Sequence, residues 1–295
     1  MNILEFGKIM SKEVGDALGE EVCVDFKEVL KNNGVTYHAL VIKKKNDNVA
    51  PTIYLDNLFE SYKNGKVLMS AVSEIIKVYR EYEPAESVDI SFYCDFANVS
   101  DKLGFKVVNY YKNLDMLSSI PYLRFADLAL VPYCVVNDRK LGSGTITIRN
   151  EHLKEWEISK EELWENVYEN SSKVLPVEVK DILECVPLSG DVFDGMTSPD
   201  MYVLSNSSHL YGASAFLYPG VLQKLSKELN SSLVIIPSSV HEVIALPYDG
   251  IEMNTEFLFN MVKEVNETVI AEGEILSDNV YYYDMKTDKM GILKD

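Results

Sequence analysis

Asn33-Gly34 constrains the start of this chain more than any other feature. It sits between two alternating runs: Val22, Val24 and Phe26 interleave with Cys23, Asp25 and Lys27, and Val35, Tyr37, Ala39 and Val41 alternate on the far side. Period-two alternation places one residue set on one face of a strand. Asn-Gly supplies the two positive-φ positions of a type I′ turn. The segment is therefore read as a β-hairpin over 22–43 with a two-residue loop, and Lys43-Lys44-Lys45 ends it in solvent.

Turn signals divide the rest into short units of both periods. Residues 2–18 read as a helix capped by Asn2, with Glu5 as capping-box partner and Gly19 as stop. A strand at 51–55, a helix capped by Asp56 and a helix over 68–82 follow, and 86–101 lean to helix. Strands are read at 105–110, 127–136 and 145–148. A helix opens at Ser159, and 187–200 form a loop. Then come strands at 201–204 and 210–216, a helix over 219–229 with Pro219 in its first turn, strands at 232–236 and 241–246, a helix over 255–268 and a strand at 280–284. Helices and strands that do not alternate in a βαβ rhythm give an α+β chain with mostly antiparallel sheets flanked by helices.

The 295 residues are enough for two domains and a core that needs no staple. Charge suggests where to divide them. Residues 1–150 carry 18 Lys/Arg against 20 Asp/Glu, and residues 151–295 carry 10 against 26, which is nearly all of the net −18. The expected arrangement is an N-terminal α+β domain over 1–150 and an acidic one over 151–295. Such a surface repels phosphate backbones and anionic lipid and suits a basic protein partner. Cys23, Cys94, Cys134 and Cys185 lie in apolar runs without a CxxC spacing and read as buried thiols in a reducing compartment. The N-terminus lacks a signal-peptide pattern, and no apolar run reaches the ~18 residues that span a bilayer. A cytoplasmic protein that binds no membrane is expected.

Few residues suggest chemistry. Gly142-Ser143-Gly144 precedes a strand, whereas a phosphate loop opens a helix. Gly212-Ala213-Ser214-Ala215-Phe216 lacks the second glycine of a nucleophile elbow and reads as a strand of small residues. His38, His152, His209 and His241 are far apart, so no metal or cofactor is expected. Tyr281-Tyr282-Tyr283 reads as a strand pinned by aromatics on both faces. The remaining catalytic candidates are Ser238, Ser239, His241 and Glu242: two hydroxyls, a carboxylate and an imidazole, the side-chain class that titrates near neutrality. On a strand, 241 and 242 would point to opposite faces.

Several segments together carry a resemblance. They are 49–56, 201–206, 211–213, 217–222, 236–242 and 276–284, among them Leu217-Tyr218-Pro219-Gly220 and Leu276-Ser277-Asp278-Asn279. Over nearly its whole length the chain resembles an uncharacterised domain-of-unknown-function family of anaerobic gut-type Firmicutes bacteria, a resemblance that implies a bacterial cytoplasmic origin and no assigned activity. The expected function is a non-enzymatic binding or regulatory protein that engages a protein partner or small ligand. The alternatives are a hydrolase using the 238–242 turn and an acidic decoy of a nucleic-acid-binding protein.

Overall fold

The computed structural model describes residues 1–45, 50–82, 91–138, 142–185, 200–248 and 254–294. The backbone divides into two compact units, Met1–Ser91 with Asp138–Gly142, and Phe92–Asn137 with Ser143–Asp295. Residue 150, where the charge density steps, lies inside the second unit. The fold is α+β, with its sheets antiparallel and flanked by helices.

In the first unit, α1 (Ile3–Leu18) starts at Asn2, whose side chain accepts the Glu5 amide while Glu5 accepts the Asn2 amide. Gly19 ends the helix at φ +89°. The hairpin pairs β1 (Val22–Leu30) with β2 (Thr36–Lys44), and β3 (Thr52–Tyr54) adds to β2. Asn33 and Gly34 take the expected positive φ, +58° and +75°. The loop is longer than two residues, however: Asn32–Gly34 form a 3-10 turn closed by the Lys31 amide on the Val35 carbonyl. Then come α2 (Asp56–Lys63) and α3 (Leu68–Tyr82). Phe6, Met10 and Val14 of α1 and Val72 and Ile75 of α3 meet Leu40 and Ile42 of β2 in one core. The residue flanking α2 as its cap is Leu55 rather than Asp56. The Asp56 carboxylate turns back to β2 instead, where it accepts the His38 amide and meets His38 Nδ1, both at 3.0 Å.

At the start of the second unit, 3-10 turns at Ser91–Cys94, Phe96–Asn98 and Ser100–Lys102 take the place of the helix expected over 86–101, the first of them entering from Ser91. Of that expected helix, residues 86–90 lie outside the described residues, as does nearly all of the loop at 187–200. Strand β4 (Leu103–Asn109) leads to α4 (Leu114–Leu117), β5 (Leu123–Phe125), β6 (Leu128–Asp138) and β7 (Gly142–Thr147). These strands form a sheet in which β6 pairs with β4, β5 and β7. Next are α5 (Asn150–Glu155) and α6 (Lys160–Val174), the latter capped by Ser159, whose side chain accepts the Glu162 amide. Trp164 of α6 packs on Phe105 of β4.

The remaining elements are β8 (Val177–Asp181), α7 (Ile182–Cys185), β9 (Tyr202–Asn206), α8 (Val221–Leu229), β10 (Ser232–Pro237), β11 (Val243–Tyr248), α9 (Thr255–Thr268), β12 (Tyr281–Asp284) and β13 (Lys289–Ile292). They build a six-stranded antiparallel sheet in the order β13-β12-β10-β11-β9-β8. Its central strand is covered twice. Leu233 and Ile235 face the main core, while Val234 and Ile236 meet Leu258 and Val262 of α9. Tyr281 and Tyr283 share the first face and Tyr282 the second, as the tyrosine run suggests.

Two expectations fail here. Gly212–Leu217 is a 3-10 helix, not a strand, and Pro219 precedes the first residue of α8, with Gly220 at φ +77° between them. Gly212 explains the first. A Cβ there would stand 2.1 Å from Ser205 Oγ, 2.5 Å from the His241 carbonyl oxygen and 2.8 Å from the Asn206 nitrogen. The chain at Gly212 is drawn against the end of β9 and the His241 carbonyl, an approach that a side chain would block.

Candidate functional site

The expected tight turn after Pro237 is a five-residue loop, Ser238 to Glu242, closed by the Pro237–Val243 pair. The amides of Ser238 and Ser239 both donate to the Glu242 carbonyl at 3.2 Å. His241 and Glu242 therefore lie before β11 rather than on it. Of the four candidate side chains, Ser238 and Glu242 meet each other, and Ser239 meets only the backbone of His241. Ser238 Oγ donates to Glu242 Oε1 at 3.3 Å, and Ser239 Oγ accepts the backbone amide of His241 at 3.0 Å. Neither hydroxyl meets the imidazole.

The imidazole instead meets residues that the sequence did not single out. His241 Nδ1 accepts the Tyr211 amide at 3.3 Å, and this fixes the tautomer with its proton on Nε2. Nε2 faces Glu274 Oε1 at 3.8 Å. The His241 carbonyl accepts Ser205 Oγ at 2.9 Å, and the Val240 amide donates to the Glu274 carbonyl. The Tyr211 ring stacks on His241, and Lys106 Nζ lies 4.4 Å from its centroid. Tyr211 adopts φ +53°, a left-handed conformation that costs a side-chain-bearing residue of order 1 kcal/mol and persists only where contacts hold it. On β6, beside Gly104 of β4, the buried Tyr133 hydroxyl has no hydrogen-bond partner among the described residues. Burial raises its pKa above the ordinary phenol range, with Tyr218 and Tyr211 adding to the effect.

The 3-10 helix that follows Tyr211 also reaches a cavity with its other end. Phe216, Leu217 and Tyr218 form one wall of a space of about 290 Å³, Leu222 and Gln223 of α8 a second, and Tyr283 and Met290 of the β12–β13 hairpin a third. Asp288 stands at its edge, held at φ +54°. Its carboxylate accepts the Tyr283 hydroxyl on Oδ1 and the Gln223 amide on Oδ2 at 3.3 Å. Burial, then the Asp288 carboxylate, pushes the Tyr283 phenol up to about 12, so it stays a donor at neutral pH. None of Ser238, Ser239, His241 or Glu242 lines this cavity. The sequence offered one partial signal for it, the tyrosine run ending at Tyr283. Gln223 and Asp288 are ordinary helix and turn residues that only the fold brings together.

Among the described residues, no group of three or more His, Cys, Asp or Glu could hold a metal ion, and no helix is long and apolar enough to cross a membrane. The four cysteines are free. Cys134 is buried, but Cys23, Cys94 and Cys185 are exposed, which corrects the expectation of four buried thiols. Apolar neighbours in sequence did not bury Cys23, because it alternates onto the exposed face of β1.

No curated protein and no solved structure matches the chain. Residues 3–285 match the sequence model of a family described as a family of unknown function (DUF5688). That match spans nearly the whole length, both units included, and the chain belongs to this family.

Proposed function

We propose that the chain is a non-enzymatic, cytoplasmic binding protein that takes a small ligand with an apolar body and a donor group in the cavity between Phe216, Leu222 and Met290. The cavity carries this reading. At about 290 Å³ it matches the small end of ligand sites, which combine apolar walls with a few fixed polar groups. Asp288 supplies such a group, since Tyr283 and Gln223 hold its carboxylate in place before a ligand arrives. The serine hydroxyls of the 238–242 loop are engaged with Glu242 and with a backbone amide, which favours binding over hydrolysis. Free thiols, three of them exposed, suit a reducing compartment. The excess of carboxylates over residues 151–295 would add a salt-sensitive attraction for a basic partner.

The test is saturation-transfer NMR with a set of aromatic amines on the wild-type protein and on Leu222→Trp, which fills the cavity. Binding present in the first and lost in the second supports the reading. Amines that bind both equally, or neither, overturn it. Turnover of a generic ester that disappears in both Ser238→Ala and His241→Ala would replace it with the hydrolase.

A further inference from the structure

A second surface of the same unit has the composition of a protein-docking site and the opposite charge to the chain as a whole. Arg124 of β5 lays its guanidinium 4.2 Å from the Tyr110 ring centroid and 5.4 Å from that of Tyr111. Nε donates to the Ala126 carbonyl at 3.0 Å, and Nη2 donates to the Tyr111 hydroxyl at 2.8 Å. A guanidinium has five N–H donors, so three remain without a protein acceptor among the described residues. The tyrosines continue the surface: Tyr111 to Tyr110 is 5.2 Å, Tyr110 to Tyr122 is 5.9 Å, and Lys160 Nζ lies 5.5 Å over Tyr122. Tyr111 is 61% exposed and Leu114 is 50% exposed.

The charge is as informative as the rings. Residues 110–124 hold Lys112 and Arg124 against Asp115, in a chain of net charge −18. Lysines elsewhere form ion pairs, as Lys63 does with Glu60 and Lys173 with Glu169. Among the described residues, Lys112, Arg124 and Lys160 have no carboxylate within 4.0 Å.

We propose that the ladder Tyr111–Arg124–Tyr110–Tyr122–Lys160 docks an acidic segment of a partner protein. Tyrosine and arginine dominate binding hot spots because they bring large contact area at low entropy cost, and here stacking already fixes the arginine. The unused donors of Arg124 suit a carboxylate, and Lys160 at the other end suits a second one. The two ring spacings in series give the site the length of a peptide rather than of one small anion. A nucleic acid would place a continuous phosphate backbone against the net negative charge of the whole chain, whereas a short acidic segment meets the local cations only. The ladder shares no residue with the cavity, so each reading stands or falls without the other.

The experiment is fluorescence anisotropy of a labelled random copolymer of glutamate and tyrosine, titrated with the full chain at low salt. Saturable binding is expected. Arg124→Glu and, separately, Lys160→Glu should each weaken it about tenfold, with circular dichroism confirming that both variants fold. Arg124→Lys, which keeps the charge and loses the planar fork, should fall between them and the wild type. Absence of binding, or equal binding by the wild type and both charge reversals, overturns the proposal. Tighter binding of a single-stranded oligonucleotide would overturn it in favour of nucleic acid, and self-association dissolved by Arg124→Glu in favour of a second copy of the chain.

Discussion

His241 and Tyr211 lie face to face, ring centroids 6.0 Å apart and planes 15° from parallel, and a hydrogen bond from the Tyr211 amide to His241 Nδ1 ties the two residues together. The next residue, Gly212, makes this contact available, because its missing side chain leaves space for the His241 carbonyl and the Asn206 amide. Both obstructing atoms are backbone and cannot swing aside. Gly212→Ala is expected to destabilise the protein by about 2–3 kcal/mol, measured by urea unfolding. An unfolding midpoint equal to that of the wild type would mean that the backbones do not approach so closely.

Asp127 should prove more costly to remove than its place in a short turn suggests. The carboxylate is buried and accepts Ser277 Oγ at 2.6 Å, Asn279 Nδ2 at 3.0 Å and the Tyr281 hydroxyl at 2.8 Å. Deleting it leaves three donors around one point without an acceptor. Asp127→Ala is expected to cost about 3–5 kcal/mol, and Ser277→Ala, which removes one donor, about 1 kcal/mol. Similar losses in the two variants would contradict the shared-acceptor arrangement.

Thiol labelling separates the cysteines. Cys23, Cys94 and Cys185 are exposed, whereas burial, offset in part by Lys102, raises the Cys134 thiol to about 11. Because the thiolate is the reactive form, a disulfide reagent at neutral pH should modify three thiols quickly and the fourth only in denaturant. A native protein that releases four equivalents at one rate would place Cys134 outside the core.

His152 gives stability an acid-side slope. Burial lowers its pKa below the ordinary 6.5, with Arg149 acting in the same direction and Glu155 and Glu151 opposing it. The neutral ring accepts the Arg149 amide at Nδ1, which also meets the Tyr93 hydroxyl. The unfolded chain takes the proton first, so this contribution is fully present above about pH 6.5 and is lost as pH falls through the folded pKa. The melting temperature should therefore drop as pH falls below that value. His152→Asn, which keeps an acceptor near Nδ1 and cannot take up the proton, should drop less. Parallel curves for the two proteins would assign the slope to other groups.

Much of the fold is legible where local rules and burial agree. Asn2, Glu5 and Gly19 mark α1, and the alternation around Asn33-Gly34 marks the hairpin, because each feature is set by neighbours in sequence. Gly212–Leu217 was not legible. A run of small residues fits a strand, and the close approach that Gly212 permits is to the His241 carbonyl, 29 residues away. The candidate loop shows the same limit. Ser238, Ser239, His241 and Glu242 are near one another as the sequence implies, yet the imidazole takes its partners from Tyr211 and Glu274. The tyrosine run gave only a partial signal for the cavity, and nothing marked the Tyr110–Arg124 ladder, because both join elements that are separate in sequence.

The placement of β10 between β11 and β12 has a consequence during synthesis. Leu233, Val234, Ile235 and Ile236 leave the ribosome well before Tyr281–Asp284, and β11 can cover only one side of them. Until Tyr281–Tyr283 emerge, the other side is an open edge of an apolar strand. A nascent chain stalled before Tyr281 should therefore need a chaperone, whereas a chain that has made the β12–β13 hairpin closes that edge with it.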